Sequence, residues 1–184
     1  MKSAASCRDG IVAGLYGGGA LIGLFFAFDL VRLDPLATPI LLSGAMLGDA
    51  PETSPGVVAA LRIGEWVLLA RNLALFTALH LAVFAGLGVA AAVLFGPLGL
   101  PKHVLTGALY GAVVCSLVFY TSVTAVAGAN ATTAIDWRLL LGANALAGVI
   151  MVAQLAGEEH DAADGRRGGA PAGSTRRPDI DTFS

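Results

Sequence analysis

The chain has 184 residues, 56% of them hydrophobic and 13% charged, with a formal net charge of −2. A soluble domain is ordinarily about 25% charged, so this composition argues against a water-facing globule and points to lipid as the surrounding medium. The charge balance leaves no basic surface for nucleic acid, and two cysteines, Cys7 and Cys115, make neither a disulfide framework nor a paired metal motif.

Residues 1–9 read as a polar N-terminus. Ser6-Cys7 is not a lipoprotein site, because no apolar stretch precedes it. From Asp9 to Asp29 there are 19 uncharged residues. A helix needs roughly 20 apolar residues to cross about 30 Å of hydrocarbon, and a charge at mid-membrane costs at least about 2.5 kcal/mol, so a first span is placed near 10–30. It is not a cleavable signal peptide, being longer than the usual apolar core and followed by Asp29 and Arg32 rather than a small-residue cleavage site. Gly10, Gly14 and Gly18 recur at four-residue spacing, as do Gly19 and Gly23, a pattern that lets helix backbones approach closely in lipid. Asp29 and Arg32 have the three-residue spacing of a helical ion pair.

Residues 31–72 form a long outer loop. Leu33-Asp34-Pro35 ends the first helix. Residues 36–48 are uncharged but too short to span, which suits an interfacial cap over the bundle or a re-entrant element lining a pathway. Thr53 or Ser54 caps a helix expected over 56–71, which carries Arg62, Glu65 and Arg71 and continues into the next span or stops short of it.

The uncharged runs from Arg71 to Lys102, Lys102 to Asp136 and Arg138 to Glu158 hold 30, 33 and 19 residues. They place further spans near 73–96, 104–127 and 138–156. Gly96-Pro97-Leu98-Gly99-Leu100-Pro101 makes a tight turn between the second and third. More stripes of small residues appear at Ala78, Ala82, Gly86 and Ala90, at Gly107 and Gly111, and at Ala143 with Ala147 and Asn144 with Gly148. Backbone in lipid must satisfy its own hydrogen bonds, and short alternating barrel segments are absent from the sequence, so the fold class is all-α: a polytopic transmembrane bundle of four helices, 10–156, with a partly helical outer loop. Residues 157–184 are rich in Gly, Arg and Asp and are expected to be a disordered tail.

Four spans put both termini and the 97–102 turn on one side, with Lys2, Arg8, Lys102, Arg166, Arg167, Arg176 and Arg177, against Arg32, Arg62, Arg71 and Arg138 on the other. The positive-inside rule makes that first side cytoplasmic in a multi-pass protein of the cell membrane. Trp66 and Trp137 then fall at the outer interface.

Asp29, His80, Asn144 and Gln154 are the polar groups within the spans, and Ser116 and Cys115 reach a similar depth. At 1.5 Å per residue His80 sits about 12 Å inside its span and Asn144 about 9 Å. An ionisable intramembrane residue is a functional candidate by default. His80 could relay protons, contact a substrate, or hold a pigment or metal; the plainer alternative is a neutral histidine bonded to a neighbouring helix. With only His103 and His160 elsewhere, a bis-histidine haem and a histidine-rich zinc site are disfavoured. Asn144 and Gln154 suit interhelical hydrogen bonds, and Tyr16 and Tyr110 lie at matching depths where they could pack together. No nucleophile elbow, phosphate loop or paired carboxylates appear, so no catalytic residue, metal or cofactor is expected.

Phe28-Asp29-Leu30-Val31, Pro35-Leu36-Ala37-Thr38-Pro39 and Phe76-Thr77-Ala78-Leu79-His80-Leu81-Ala82-Val83-Phe84 together resemble uncharacterised four-helix integral membrane proteins of bacteria, over roughly residues 10–95. The resemblance implies architecture and no activity. The expectation for function is a non-enzymatic structural or accessory subunit whose partners are the bilayer and a homo-oligomer or larger membrane complex. The alternative is a small transporter or channel subunit with a polar path around His80, Asn144 and Asp29.

Overall fold

The computed structural model describes residues 7–34, 36–47, 63–96, 98, 100–127 and 136–168. Among them every regular element is helical: α1 (Cys7–Val31), α2 (Ala37–Leu47), α3 (Ile63–Phe95), α4 (Val104–Tyr110), a π-helical turn (Gly111–Cys115), α5 (Ser116–Ala127) and α6 (Trp137–Gly168). Four stretches are long and apolar enough to cross a membrane: Cys7–Val31, Trp66–Phe95, Val104–Ala125 and Trp137–Glu158. Between 28% and 44% of the most apolar 18-residue window of each is buried inside the bundle, and Leu15, Leu75, Val113, Leu117 and Leu141 face outward. In water that much continuous apolar surface would drive association; in lipid it costs nothing. The chain is a multi-pass membrane protein with an all-α bundle.

The bundle is two antiparallel helix pairs, and glycines set the distance within each. In the first pair, α1 crosses α3. A Cβ added at Gly14 would collide with the Phe84 carbonyl, one at Gly10 would lie 2.7 Å from Val89 Cα, and one at Gly18 2.9 Å from Phe84 Cβ. The stripe Gly10, Gly14, Gly18 is therefore the packing face, while Gly19 and Gly23 look onto open space. In the second pair, the α4 and π-turn segment crosses α6. A Cβ at Gly111 would collide with the Asn144 carbonyl, and one at Gly107 would lie 2.9 Å from the Gly148 carbonyl oxygen. Backbones this close gain dispersion contact, the main source of helix association where the solvent is itself hydrocarbon.

The pairs join through α1 on α6, where Gly17 leaves room for Met151, and through Tyr110. The Tyr110 hydroxyl donates to the Leu87 carbonyl at 2.6 Å, and its ring meets Phe95 edge-on at 5.9 Å. Tyr110 is buried but Tyr16 is exposed on the outer face of α1, so the two tyrosines do not pack together. Ala13, Leu21, Phe84, Leu87, Met151 and Leu155 are among the residues that fill the core between the pairs.

α2 lies across the loop end of the bundle, packing on α1, α3 and α5. Its Ile40, Leu42, Ser43 and Gly44 are buried. At 1.5 Å per residue its 11 residues reach about 16 Å, half the hydrocarbon thickness. The helix expected over 56–71 and the second span are one continuous helix from Ile63; residues 56–62 lie outside the described residues. Opposite the loop end, Thr106 Oγ1 accepts from the His103 N–H at 3.1 Å and donates to the Pro101 carbonyl at 2.6 Å, which fixes the start of α4. Asp136 caps α6, its Oδ1 accepting from the Arg138 N–H at 3.0 Å.

One correction concerns the tail. Residues 157–168, expected to be disordered, continue α6 to Gly168. The cost of helix formation lies in its first turn, and α6 is already helical for twenty residues before Gly157. Glu158, Glu159, Ala162, Ala163, Arg166 and Arg167 are then good helix formers that propagate it. The remainder, 169–184, lies outside the described residues.

Candidate functional site

The α3 register places Phe76, His80 and Phe84 on one face, four residues apart. The His80 ring stands 5.9 Å from Phe76 and 4.6 Å from Phe84, centroid to centroid, with interplanar angles of 35° and 31°. Between α3 and α5 lies a cleft of about 270 Å³, lined by these three residues with Leu79, Val83, Leu87 and Cys115 and, from α5, Val118, Phe119, Ser122 and Val123. Leu79 is 47% exposed, so the cleft opens sideways toward lipid. His80 Nε2 is buried and has no hydrogen-bond partner; the backbone of Gly18 lies beside the ring. Gly18 belongs to α1, so its backbone offers the imidazole the kind of neighbouring-helix partner expected of a structural histidine.

The π-turn shapes the opposite wall. The Ser116 N–H reaches back to the Gly111 carbonyl, and the extra residue in the turn buries Cys115 and Ser116 side by side. Cys115 faces the cleft. Ser116 turns to α6, where Asn144 Nδ2 donates to its Oγ at 3.0 Å. Asn144 is 1% exposed, and this pair ties α5 to α6.

Asp29 stands elsewhere. Its carboxylate accepts the Thr38 N–H and the Thr38 hydroxyl, each at 2.8 Å, and so caps the N-terminal turn of α2 with a negative charge where the helix dipole favours one. Its carbonyl accepts the Asp34 N–H while the Leu30 carbonyl accepts the Leu33 N–H, closing α1 in a Schellman motif. Leu33 occupies the left-handed position normally given to glycine, with φ 58°, and Leu36 follows at φ 78°. Arg32 does not pair with Asp29: its guanidinium lies 4.1 Å over the Phe28 ring.

The candidate residues thus fall into three arrangements. His80 and Cys115 share the cleft, Ser116 and Asn144 bond each other, and Asp29 organises the α1–α2 turn. Sequence reasoning missed Asn72, 3% exposed at the loop end of α3, whose Oδ1 accepts from Arg71 Nε and Nη2 at 3.2 and 3.1 Å. It also missed Thr38 as the partner of Asp29. The uncharged run that starts at Asn72 hid the first; the second needs a turn that sequence spacing does not reveal. Among the described residues no group of three His, Cys, Asp or Glu side chains could hold a metal ion. The cleft can receive an apolar guest, and Ser122 contributes a hydroxyl to its lining. Comparison of the chain with protein families, with curated proteins and with solved structures finds no match.

Proposed function

We propose that the protein is a non-enzymatic structural or accessory subunit of the cell membrane, with both termini in the cytoplasm, that associates with a second copy or another membrane helix through the outer face of α3. One observation carries the reading. Ala78, Ala82, Gly86 and Ala90 form a four-residue stripe whose members are all exposed, and a Cβ at Gly86 would meet nothing within 4 Å. The stripes at Gly10 and Gly107 are consumed inside the molecule, whereas this one, longer than the open Gly19 and Gly23 pair on α1, is left for a neighbour. Termini in the cytoplasm follow from the excess of Lys and Arg on that side. A polar transport path is less well supported, because Asn144 and Asp29 commit their polar groups to Ser116 and Thr38.

The test is cross-linking in native membranes. In a Cys7→Ser background, Ala82→Cys is expected to give a covalent dimer, or an adduct with a partner chain, that Gly86→Leu abolishes. A chain that stays monomeric and is indifferent to Gly86→Leu contradicts the reading.

A further inference from the structure

The two helix pairs carry the same contact in the same register. On one helix of each, glycines four residues apart lie against the backbone of the other: Gly10 and Gly14 in the first pair, Gly107 and Gly111 in the second. The opposing helices share an Ala-x-x-Gly-Val pattern, at Ala85, Gly88 and Val89 and at Ala145, Gly148 and Val149. The neighbours agree position for position. A Cβ at Gly10 would meet Val89 Cα and one at Gly107 Val149 Cα; a Cβ at Gly14 would meet the Phe84 carbonyl and one at Gly111 the Asn144 carbonyl. In return, Gly88 closes on Gly14 and Gly148 on Gly111. One turn further along, Gly18 comes against the side chain of Phe84, and Ser116 bonds that of Asn144. Gly14 to Gly18 is a step of four residues, an α turn; Gly111 to Ser116 is a step of five, the π-turn. Burial keeps the same correspondence, running Gly10, Ala13, Gly14, Gly17, Gly18 in α1 and Gly107, Tyr110, Gly111, Cys115, Ser116 in the third span.

We infer that the chain is built of two copies of one helical hairpin, related by a pseudo-two-fold axis along the membrane normal, and that the π-turn is a single residue inserted into the second copy. Successive spans alternate in direction, so both copies start from the same side and form a parallel repeat. The repeat accounts for the cleft. Equivalent residues meet across the two seams between the copies. In one seam, Ala13 and Gly17 of α1 let α6 approach until Met151 rests against Gly17. In the other, Tyr110 and Cys115 take their places. Tyr110 is held to Leu87 and Phe95 of α3, and the cleft lies beyond, with Cys115 in its lining. Among the described residues α1 packs directly on α6, and no comparable backbone approach joins α3 to the third span. The copies differ on their outer faces too. Where α3 has Ala78, Ala82, Gly86 and Ala90, α6 has Arg138, Gly142, Leu146 and Ile150, so α6 does not repeat the outer stripe.

Single-residue deletions in the full chain test this. Removing one residue from a helix turns everything after it by about 100°, which in a packed span carries the contact face away from its neighbour. Deletion of Val113, an outward-facing residue of the π-turn, is instead expected to leave an α turn that keeps both Gly111 and Ser116 on α6. The protein should elute from size exclusion in detergent as the parent does. In a Cys7→Ser, Cys115→Ala background, Ser116→Cys with Asn144→Cys should form an internal disulfide on mild oxidation, to the same yield with and without Val113. Deletion of Tyr16, which faces outward at the matching place in α1, has no surplus residue to draw on and should abolish monodisperse protein. Aggregation on deletion of Val113, a disulfide confined to the undeleted chain, or equal tolerance of the two deletions overturns the proposal.

Discussion

The two helix pairs are built on the same backbone contact. In the first, Gly10 and Gly14 meet Ala85, Gly88 and Val89; in the second, Gly107 and Gly111 meet Ala145, Gly148 and Val149. The carbonyl that crowds Gly14 belongs to Phe84, and the one that crowds Gly111 belongs to Asn144. The residues differ where the contact does not need them. Phe84 contributes an aromatic face to an open cleft, whereas Asn144 reaches Ser116 and closes its pair with a hydrogen bond. The second pair adds a π-turn at the crossing, and the first adds α2 beyond it. Glycine contact fixes how near two helices lie; the side chain of the residue whose carbonyl is crowded fixes whether the crossing carries a hydrogen-bonded seam or borders an open cleft.

The strongest way to break this comparison is to put side chains into both crossings. Gly14→Leu and Gly111→Leu should each abolish monodisperse folded protein in detergent, since the atoms met are backbone and cannot move aside, whereas Gly23→Leu should leave yield and elution unchanged. A difference between the first two would show that only one crossing is essential. Asn144→Leu, which strands the Ser116 hydroxyl, should lower stability in a denaturation series by about 1–2 kcal/mol, and Ser116→Ala should recover part of that loss in the double variant. On the first pair, Asp29→Ala should cost about 1 kcal/mol and speed amide exchange over Ala37–Leu47 while α6 exchange stays constant. The smallest effect has the opposite sign. Leu33→Gly should stabilise by less than about 1 kcal/mol, because the strain of a leucine in the left-handed region, about 1–2 kcal/mol, is offset in part by the greater freedom glycine loses on folding, roughly 0.5–1 kcal/mol.

The comparison also shows what could be read from residues alone. Span positions were legible because charges are excluded from hydrocarbon: the four long apolar helices fall on the four uncharged runs. The small-residue stripes were legible as packing faces, but not which faced inward: Gly18 and Gly19 are neighbours in sequence, and only Gly18 meets another helix. The cleft depends on how residues of α3 and α5 far apart in sequence face each other, and the π-turn is a backbone choice that Gly111-Ala112-Val113-Val114-Cys115 does not announce. Asp29 misled because the near cation, Arg32, is an obvious partner in a helix, while Thr38 comes within reach only after the chain turns through two leucines at positive φ. The helical extension past Gly157 was hidden because composition measures burial and says little about propagation from an existing helix.

The outward apolar faces of all four helices require lipid around the bundle, and collision accessibility at single spin labels tests that most directly. Labels at Leu15, Leu75, Leu117 and Leu141, all outward on different helices, should meet lipid-soluble oxygen far more often than a water-soluble nickel chelate. A label at Ala143, 2% exposed, should meet neither. Nickel reaching the four outer positions more readily than oxygen would mean that these faces look onto water, and the four-span bundle would be wrong.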